Sequence, residues 1–437
     1  MDKKIIKREI ENEERDLGGE KQGAENEDSG LWTPLQRTIV HMDLDTFYVS
    51  VERLLDDRLN NKPILLGGTG DRGVVASCSY EARTFGVHSG MSMKMARALC
   101  PEGIVIRGEA GVYSKYSKTI TEILREEVPV LEKSSIDEFY LDLTGMDRFF
   151  GCYTLASHLR KKVITETGLP ISFGMSGNKT VSKVATGEAK PNNQIQIDYG
   201  EERPFLAPLK VGKIPMVGKK MSFLLNRMGV QRIHTLQEMP IELMQKAFGK
   251  NGEQVWKKAN GIDNSPVIPF HERKSISTER TFEKDTIDVH KLGCMVIAMV
   301  EQLAYDLRRG GKVSSCISLK VRYSDFQTVS KQKRIPYTAC DHILIEHAKE
   351  IFKALYNRRV RVRLIGVRLS DLAGGGHQID LFQDNDKVLN LYQAMDAVKN
   401  RYGQNAVRRS MAMQIKGLGR GNPFNGEPNV VPAHRNQ

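Results

Sequence analysis

The chain has no uninterrupted apolar run near the roughly 18 residues that a membrane-spanning helix requires, so no helical span is expected. Its opening segment, MDKKIIKREIENEERD, lacks the apolar core of a secretory signal. Cysteine is sparse: six residues, at 78, 100, 152, 294, 316 and 340, lie far apart and form no CxxC pair. That spacing argues against a zinc site and for reduced, mostly buried thiols in a cytosolic protein. Acidic residues are outnumbered in the body of the chain. Residues 1–36 carry 6 Lys or Arg against 10 Asp or Glu, which leaves 59 basic and 43 acidic residues beyond them. A basic body suits a polyanionic partner, with nucleic acid first and an anionic membrane surface second.

What is present is enough for several cores. At 437 residues and 40% hydrophobic composition, two to four globular domains are expected. Residues 1–36 are highly charged and poor in large apolar side chains, and read as a disordered tail. From Thr38 the pattern runs strand, helix, strand, strand, helix, strand, which predicts an α+β sheet with helices on one face. Past Pro204, KIPMVGKKMSFLLNRMGVQRIHTLQEMP reads as helix, tight turn and helix, with Gly218 at the turn. Such a hairpin can hold a phosphate on its turn amides without reading bases. PVIPFHERKSIS reads as an exposed linker. Beyond it ISLKVRYSD and VRVRLIGVRLSDL predict strands, the second punctuated by Arg361, Arg363 and Arg368, with two helices between and before them.

Two stretches carry the chemistry. In SSIDEFYLDLTG, residues 134–145, Asp137 and Glu138 stand side by side at the mouth of an alternating run. Neighbours on a regular strand face opposite ways, so both can serve one site only if the chain turns there. An isolated acidic pair is most often a solvated turn. Here a second strand, in TIVHMDLDTFYVSVE, delivers Asp43 and Asp45, and two carboxylate-bearing strands suggest one cation site. Asp43, Asp137 and Glu138 make sense together as a site for two Mg²⁺ ions, hard cations that take oxygen ligands and share substrate phosphates.

MDLDTFYVSVE, SYEARTFGV, SSIDEFYLDL and LPISFGMSGNKTVSKVATGEAKPNN, in this order, resemble the Y-family translesion DNA polymerases, and most closely the bacterial DNA polymerase IV group. The resemblance covers roughly residues 38–415. It implies an α+β, multidomain right-hand polymerase: palm at 37–46 and 110–203, fingers at 47–109, and a helical thumb with a helix-hairpin-helix at 204–265. A linker at 266–273, an α+β little finger at 274–416 and a flexible tail at 417–437 would follow.

Carried over by motif, Asp43, Asp137 and Glu138 would be the catalytic and metal-binding carboxylates, with the Leu44 backbone carbonyl completing the second ion. Asp45 is expected to be structural. Tyr48 falls at the steric-gate position, where an aromatic face excludes a 2′-OH; by itself Phe47-Tyr48 would more often be core. Ser77, Tyr80, Arg83 and Lys190 would bind the dNTP, Arg suiting bidentate phosphate contact. Lys183 is expected to meet backbone or solvent, and Ala76 and Gly90 to be small residues over the templating base. QIDLF, with Gln378, Leu381 and Phe382, resembles a peptide that binds the sliding clamp, and could equally close a little-finger core.

The implied activity is template-directed, error-prone translesion synthesis without proofreading, by a cytoplasmic monomer on primer-template DNA. No acidic cluster for a proofreading exonuclease is present. Alternatives are a polymerase V-type subunit needing accessory proteins, a nucleotide cyclase, and a non-catalytic DNA-binding scaffold. The basic third unit argues against a cyclase, and the full set of carboxylates against a scaffold.

Overall fold

The computed structural model describes residues 36–146, 151–270, 272–375, 385–413 and 415. β1 (Ile39–Leu44) is the central strand of the largest sheet among the described residues, and its residues are buried on both faces. It leads through a left-handed residue, Thr46, into α1 (Phe47–Leu55). A three-stranded sheet follows: β2 (Ile64–Gly67) pairs antiparallel with β3 (Val75–Cys78) and parallel with β4 (Ile104–Ile106). α2 (Tyr80–Thr84) and α3 (Met93–Leu99) are capped by Ser79 and Ser92. The small core of this unit is Leu65, Val75, Cys78, Ala82, Met93 and Ala96. Leu54, Leu55 and Leu99, apolar positions at helical spacing, are exposed.

The chain then returns through α4 (Ala110–Glu127) to β5 (Val130–Lys133) and β6 (Glu138–Asp142). α5 (Cys152–Thr167), β7 (Ile171–Ser176), α6 (Lys179–Ala189) and β8 (Gln194–Gln196) complete the five-stranded sheet, in the order β5-β6-β1-β7-β8. One face of β1 (Val40, Met42, Leu44) packs with Phe139 and Phe173 against Ile120, Leu124, Leu159 and Val163 of α4 and α5. The expectation of helices on one face alone does not hold, because α6 lies on the other. Ser182 and Thr186 hydroxyls donate to the Ile39 and His41 carbonyls, and a Cβ on Gly174 would meet the Ser182 carbonyl at 2.4 Å. The basic helix that NKTVSKVATGEAKPNN predicts, broken at Pro191, is present, and its small and polar side chains let it lie directly on the strands.

Next come α7 (Glu202–Leu206), α8 (Lys219–Arg227), α9 (Ile233–Gln237) and α10 (Ile241–Ala259) around Leu206, Ile214, Leu225, Ile233 and Met244. The helix expected before the Gly218 turn is a single 3₁₀ turn, Val211–Lys213. The segment read as an exposed linker is anchored at its start. Val267 is buried against Ile39 and Tyr140, and the Ile268 amide donates to Glu132, which also holds Lys179.

The last unit is a four-stranded antiparallel sheet, β11-β10-β12-β9, formed by β9 (Ser275–Thr286), β10 (Lys312–Tyr323), β11 (Thr328–Thr338) and β12 (Val362–Gly374). α11 (Val289–Arg309) and α12 (Asp341–Leu355) cover it, and α13 (Asn385–Tyr402) follows. All six cysteines are buried. No helix among the described residues is long and apolar enough to cross a membrane.

Candidate active site

The site lies on the α6 face of the larger sheet, where strand register brings two sequence-distant carboxylates together. Asp43 is paired with Glu138 across β1 and β6, and with Ser172 across β1 and β7. Asp137 sits outside β6, in the turn before it, so the chain does turn between the two acidic residues. Its backbone carbonyl accepts from the Leu44 amide at 3.1 Å. Ser135 shapes the turn: its hydroxyl donates to Asp137 Oδ1 at 2.5 Å and accepts from the Asp137 and Glu138 amides.

Burial pushes Asp43 up to about 7 against the pull of Lys190, and the charges of Asp137 and Glu138 push the same way as burial. A carboxylate trio of this kind demands cations. Among the described residues no three His, Cys, Asp or Glu side chains converge closely enough to hold a metal ion. Two ammonium groups occupy the carboxylates instead. Lys190 Nζ donates to Asp43 Oδ1 at 2.5 Å and to the Leu44 carbonyl at 3.4 Å, and Lys183 Nζ donates to Glu138 Oε1 at 2.5 Å. Lys183 was expected to meet backbone or solvent; α6 carries it to Glu138 instead. Asp43, Glu138 and the Leu44 carbonyl are hard oxygen donors, the kind a divalent metal takes, and in this arrangement they hold two ammonium groups. Lys183 also lines a cleft of about 450 Å³ with Gly187, Lys213, Met216 and Gly218, between α6 and the Gly218 turn.

The Tyr48 ring packs on Tyr113 at 4.7 Å and Phe47 at 5.4 Å between centroids, and the Tyr113 hydroxyl donates to Glu52. Burial, helped by the Asp137 charge, lifts the Tyr48 phenol to about 12. Phe47 is core while Tyr48 is only half-buried. Tyr80 is also raised to about 12, by burial and then by the Asp45 charge, and its hydroxyl is buried with no hydrogen-bond partner. The Arg83 guanidinium lies 5.0 Å from the Tyr80 ring centroid, and Ser77 is buried on β3. Ala76 is half-buried and Gly90 takes a left-handed φ of 86°. Gln378, Leu381 and Phe382 lie outside the described residues.

Three residues near the site went unread or under-read in the sequence. Lys183 meets a carboxylate rather than backbone or solvent, Ser135 sits within the acidic turn it shapes, and no motif marks Arg160 on α5. The seven-residue spacing between Lys183 on α6 and Lys190 just past its end is a usable signal for the first.

Over residues 42–187 the chain matches the impB/mucB/samB family, over 273–381 that family's C-terminal domain, and over 212–263 a thumb domain described for DNA polymerase iota. It is 36% identical over 386 residues to a DNA polymerase IV of Dehalococcoides mccartyi, covering 87% of this chain and 99% of that one. A DNA polymerase IV of Lactococcus lactis subsp. cremoris is 38% identical over 344 residues, covering 76% and 94%. One of Methanoculleus marisnigri is 36% identical over 343 residues, covering 78% and 95%. A solved Y-family DNA polymerase chimera superposes with a TM-score of 0.71 at 25% identity, covering 77% of this chain and all of that one. The chain belongs to the Y family of DNA polymerases, in its DNA polymerase IV group.

Proposed function

We propose that Asp43, Asp137 and Glu138 carry the nucleotidyl transfer of this translesion DNA polymerase, joining a dNTP to the primer 3′-OH on a DNA template. What supports the reading is the seating of two lysine ammonium groups on Asp43 and Glu138, carboxylates paired across the sheet. Membership of the family implies dependence on a divalent metal, and we take it to be Mg²⁺, two ions per site. Asp43, Asp137 and Glu138 with the Leu44 carbonyl would hold them. Bound there, such ions would activate the primer hydroxyl and stabilise charge on the phosphates.

The protein's own groups do the rest. Lys190 and Arg83 bind the triphosphate, Tyr80 offers its unpartnered hydroxyl to the same ligand, and Ser77 lines the pocket. Tyr48, stiffened by Tyr113, stands under the sugar and excludes a 2′-OH. Ala76 and Gly90 leave room over the templating base. The Gly218 turn and the basic little finger hold the duplex by its backbone. Palm, fingers, thumb and little finger are assigned to residues 37–46 with 110–203, 47–109, 204–265 and 274–416. A sliding clamp as partner through QIDLF, action as a monomer and a cytoplasmic location belong to the same proposal.

The test is primer extension by the purified chain with Mg²⁺ and dNTPs on undamaged and abasic templates. Extension across the lesion, lost in Asp137→Ala/Glu138→Ala, is expected. Extension surviving in that variant would mean other carboxylates do the chemistry.

A further inference from the structure

Lys190 stands on a turn, residues 190–193, that is held from two sides by charged groups the chemistry does not use. We infer that Asp45 and Arg160 are positioning residues that fix this turn and so aim the Lys190 ammonium at the incoming triphosphate. The inference rests on the reading of Lys190 as a triphosphate ligand.

Asp45 is 1% exposed. A carboxylate that far from water is tolerated only where hydrogen bonds replace its hydration. Its Oδ2 accepts from the Asn192 amide at 2.6 Å and from the Ser172 hydroxyl at 2.9 Å. Ser172 in turn accepts from the Asn193 amide at 3.3 Å. Asp45 therefore spends one oxygen on the backbone of the turn rather than facing the metal side.

Arg160 grips the same turn from α5. Its Nε donates to the Ile171 carbonyl at 2.9 Å, and one terminal nitrogen donates to the Asn192 carbonyl at 2.5 Å and to Asn192 Oδ1 at 2.7 Å. Asn192 is held at φ 47°, a left-handed conformation that a free chain would seldom keep. The clamp thus joins β1, β7 and α5 to four residues of chain.

A clamp is needed because a lysine side chain is a flexible stem with a point charge at its end. With the stem unable to define direction, the backbone from which it springs has to. Asp45 does a second thing. Its Oδ1, which has no hydrogen bond, lies 3.6 Å from Lys190 Nζ. Once Asp43 is committed to another cation, Asp45 is the carboxylate that keeps the ammonium in the site while it turns to the phosphates.

The experiment measures dNTP affinity and maximal incorporation rate by single-turnover kinetics. Asp45→Asn, Arg160→Gln, Arg160→Lys and Lys190→Ala are made singly, and the first two are also combined with Lys190→Ala. Primer-template affinity and thermal unfolding are measured on each. Asp45→Asn and Arg160→Gln are expected to weaken dNTP binding by roughly tenfold to a hundredfold, the loss that ångström-scale misplacement brings, with DNA affinity unchanged. Arg160→Lys keeps the charge without the fork and should resemble Arg160→Gln. In the Lys190→Ala background both effects should vanish, because the residue they aim is gone. Effects that persist undiminished there, or that fall on DNA affinity or rate alone, overturn the inference while leaving Lys190 as a ligand. A Lys190→Ala protein with unchanged dNTP affinity sinks the reading of Lys190 itself. If Asp45→Asn unfolds, the Arg160 variants decide the matter.

Discussion

Replacing Lys183 with Met should tighten divalent-cation binding. Glu138 Oε1 is engaged by the Lys183 ammonium at 2.5 Å, and any cation that uses Glu138 has to displace it. The size of the effect follows from exposure. The Lys183 and Glu138 side chains are 34% and 23% exposed, so water and salt screen the pair and its net worth is about 1 kcal/mol. Returned to the binding equilibrium, that amounts to about a fivefold lower half-saturating concentration, since a tenfold change corresponds to about 1.4 kcal/mol. Calorimetric titration of Mg²⁺ or Mn²⁺ into the DNA-free protein reads the quantity directly, without requiring turnover. Titration of the Lys183→Met variant beside the wild type, at two ionic strengths, should show the gap narrowing as salt screens the lysine. Unchanged or weaker cation binding in the variant would refute the argument that the ammonium stands in a cation's place.

Two further outcomes are expected. Tyr48→Ala should raise ribonucleotide incorporation relative to deoxynucleotide by roughly 10- to 200-fold, the range for a small steric difference in a pocket, measured by competing rNTP and dNTP incorporation. Unaltered sugar discrimination would move the gate elsewhere. Asp263→Asn should cost about 2 kcal/mol near neutral pH. Burial raises the Asp263 carboxyl, but hydrogen bonds from Ser265 and Thr180 and the Lys258 charge more than offset it, leaving the group at about 2. A folded-state value depressed below the unfolded one gives stability present above about pH 4 and lost as pH falls towards 2. Denaturant midpoints over that window should fall less with acid in Asp263→Asn than in the wild type.

Much of the candidate site could be read from residue types alone. The alternation of IVHMDL and of EFYLDL marks two strands, and carboxylates at their ends mark a cation site, because side-chain period and ligand hardness are local properties. Other parts could not be read that way. β11, TVSKQKRIPYT, is mostly exposed and shows no apolar alternation; backbone pairing with β10 makes it a strand. β9 likewise lies in a stretch of charged residues without apolar alternation and is a strand because β12 holds it. Lys183 reads as a residue that meets backbone or solvent, because the carboxylate it meets is 45 residues away and on another element. The linker's anchor has the same origin, since Glu132 and Ile268 are joined only once the chain has folded back.

The sequence by itself determined the strands that bear Asp43 and Glu138, the buried cysteines and the family. Each of these depends on periodicity, residue chemistry or motif order within short windows. The tertiary structure alone decided that Asp43 faces Glu138, that Lys183 of α6 and Lys190 just beyond it neutralise them, and that Asp45 and Arg160 hold the turn behind Lys190. Those relations depend on inter-strand register and on which face of a sheet a helix covers. Both are fixed by pairing and packing between segments far apart in the chain, and no local pattern encodes them.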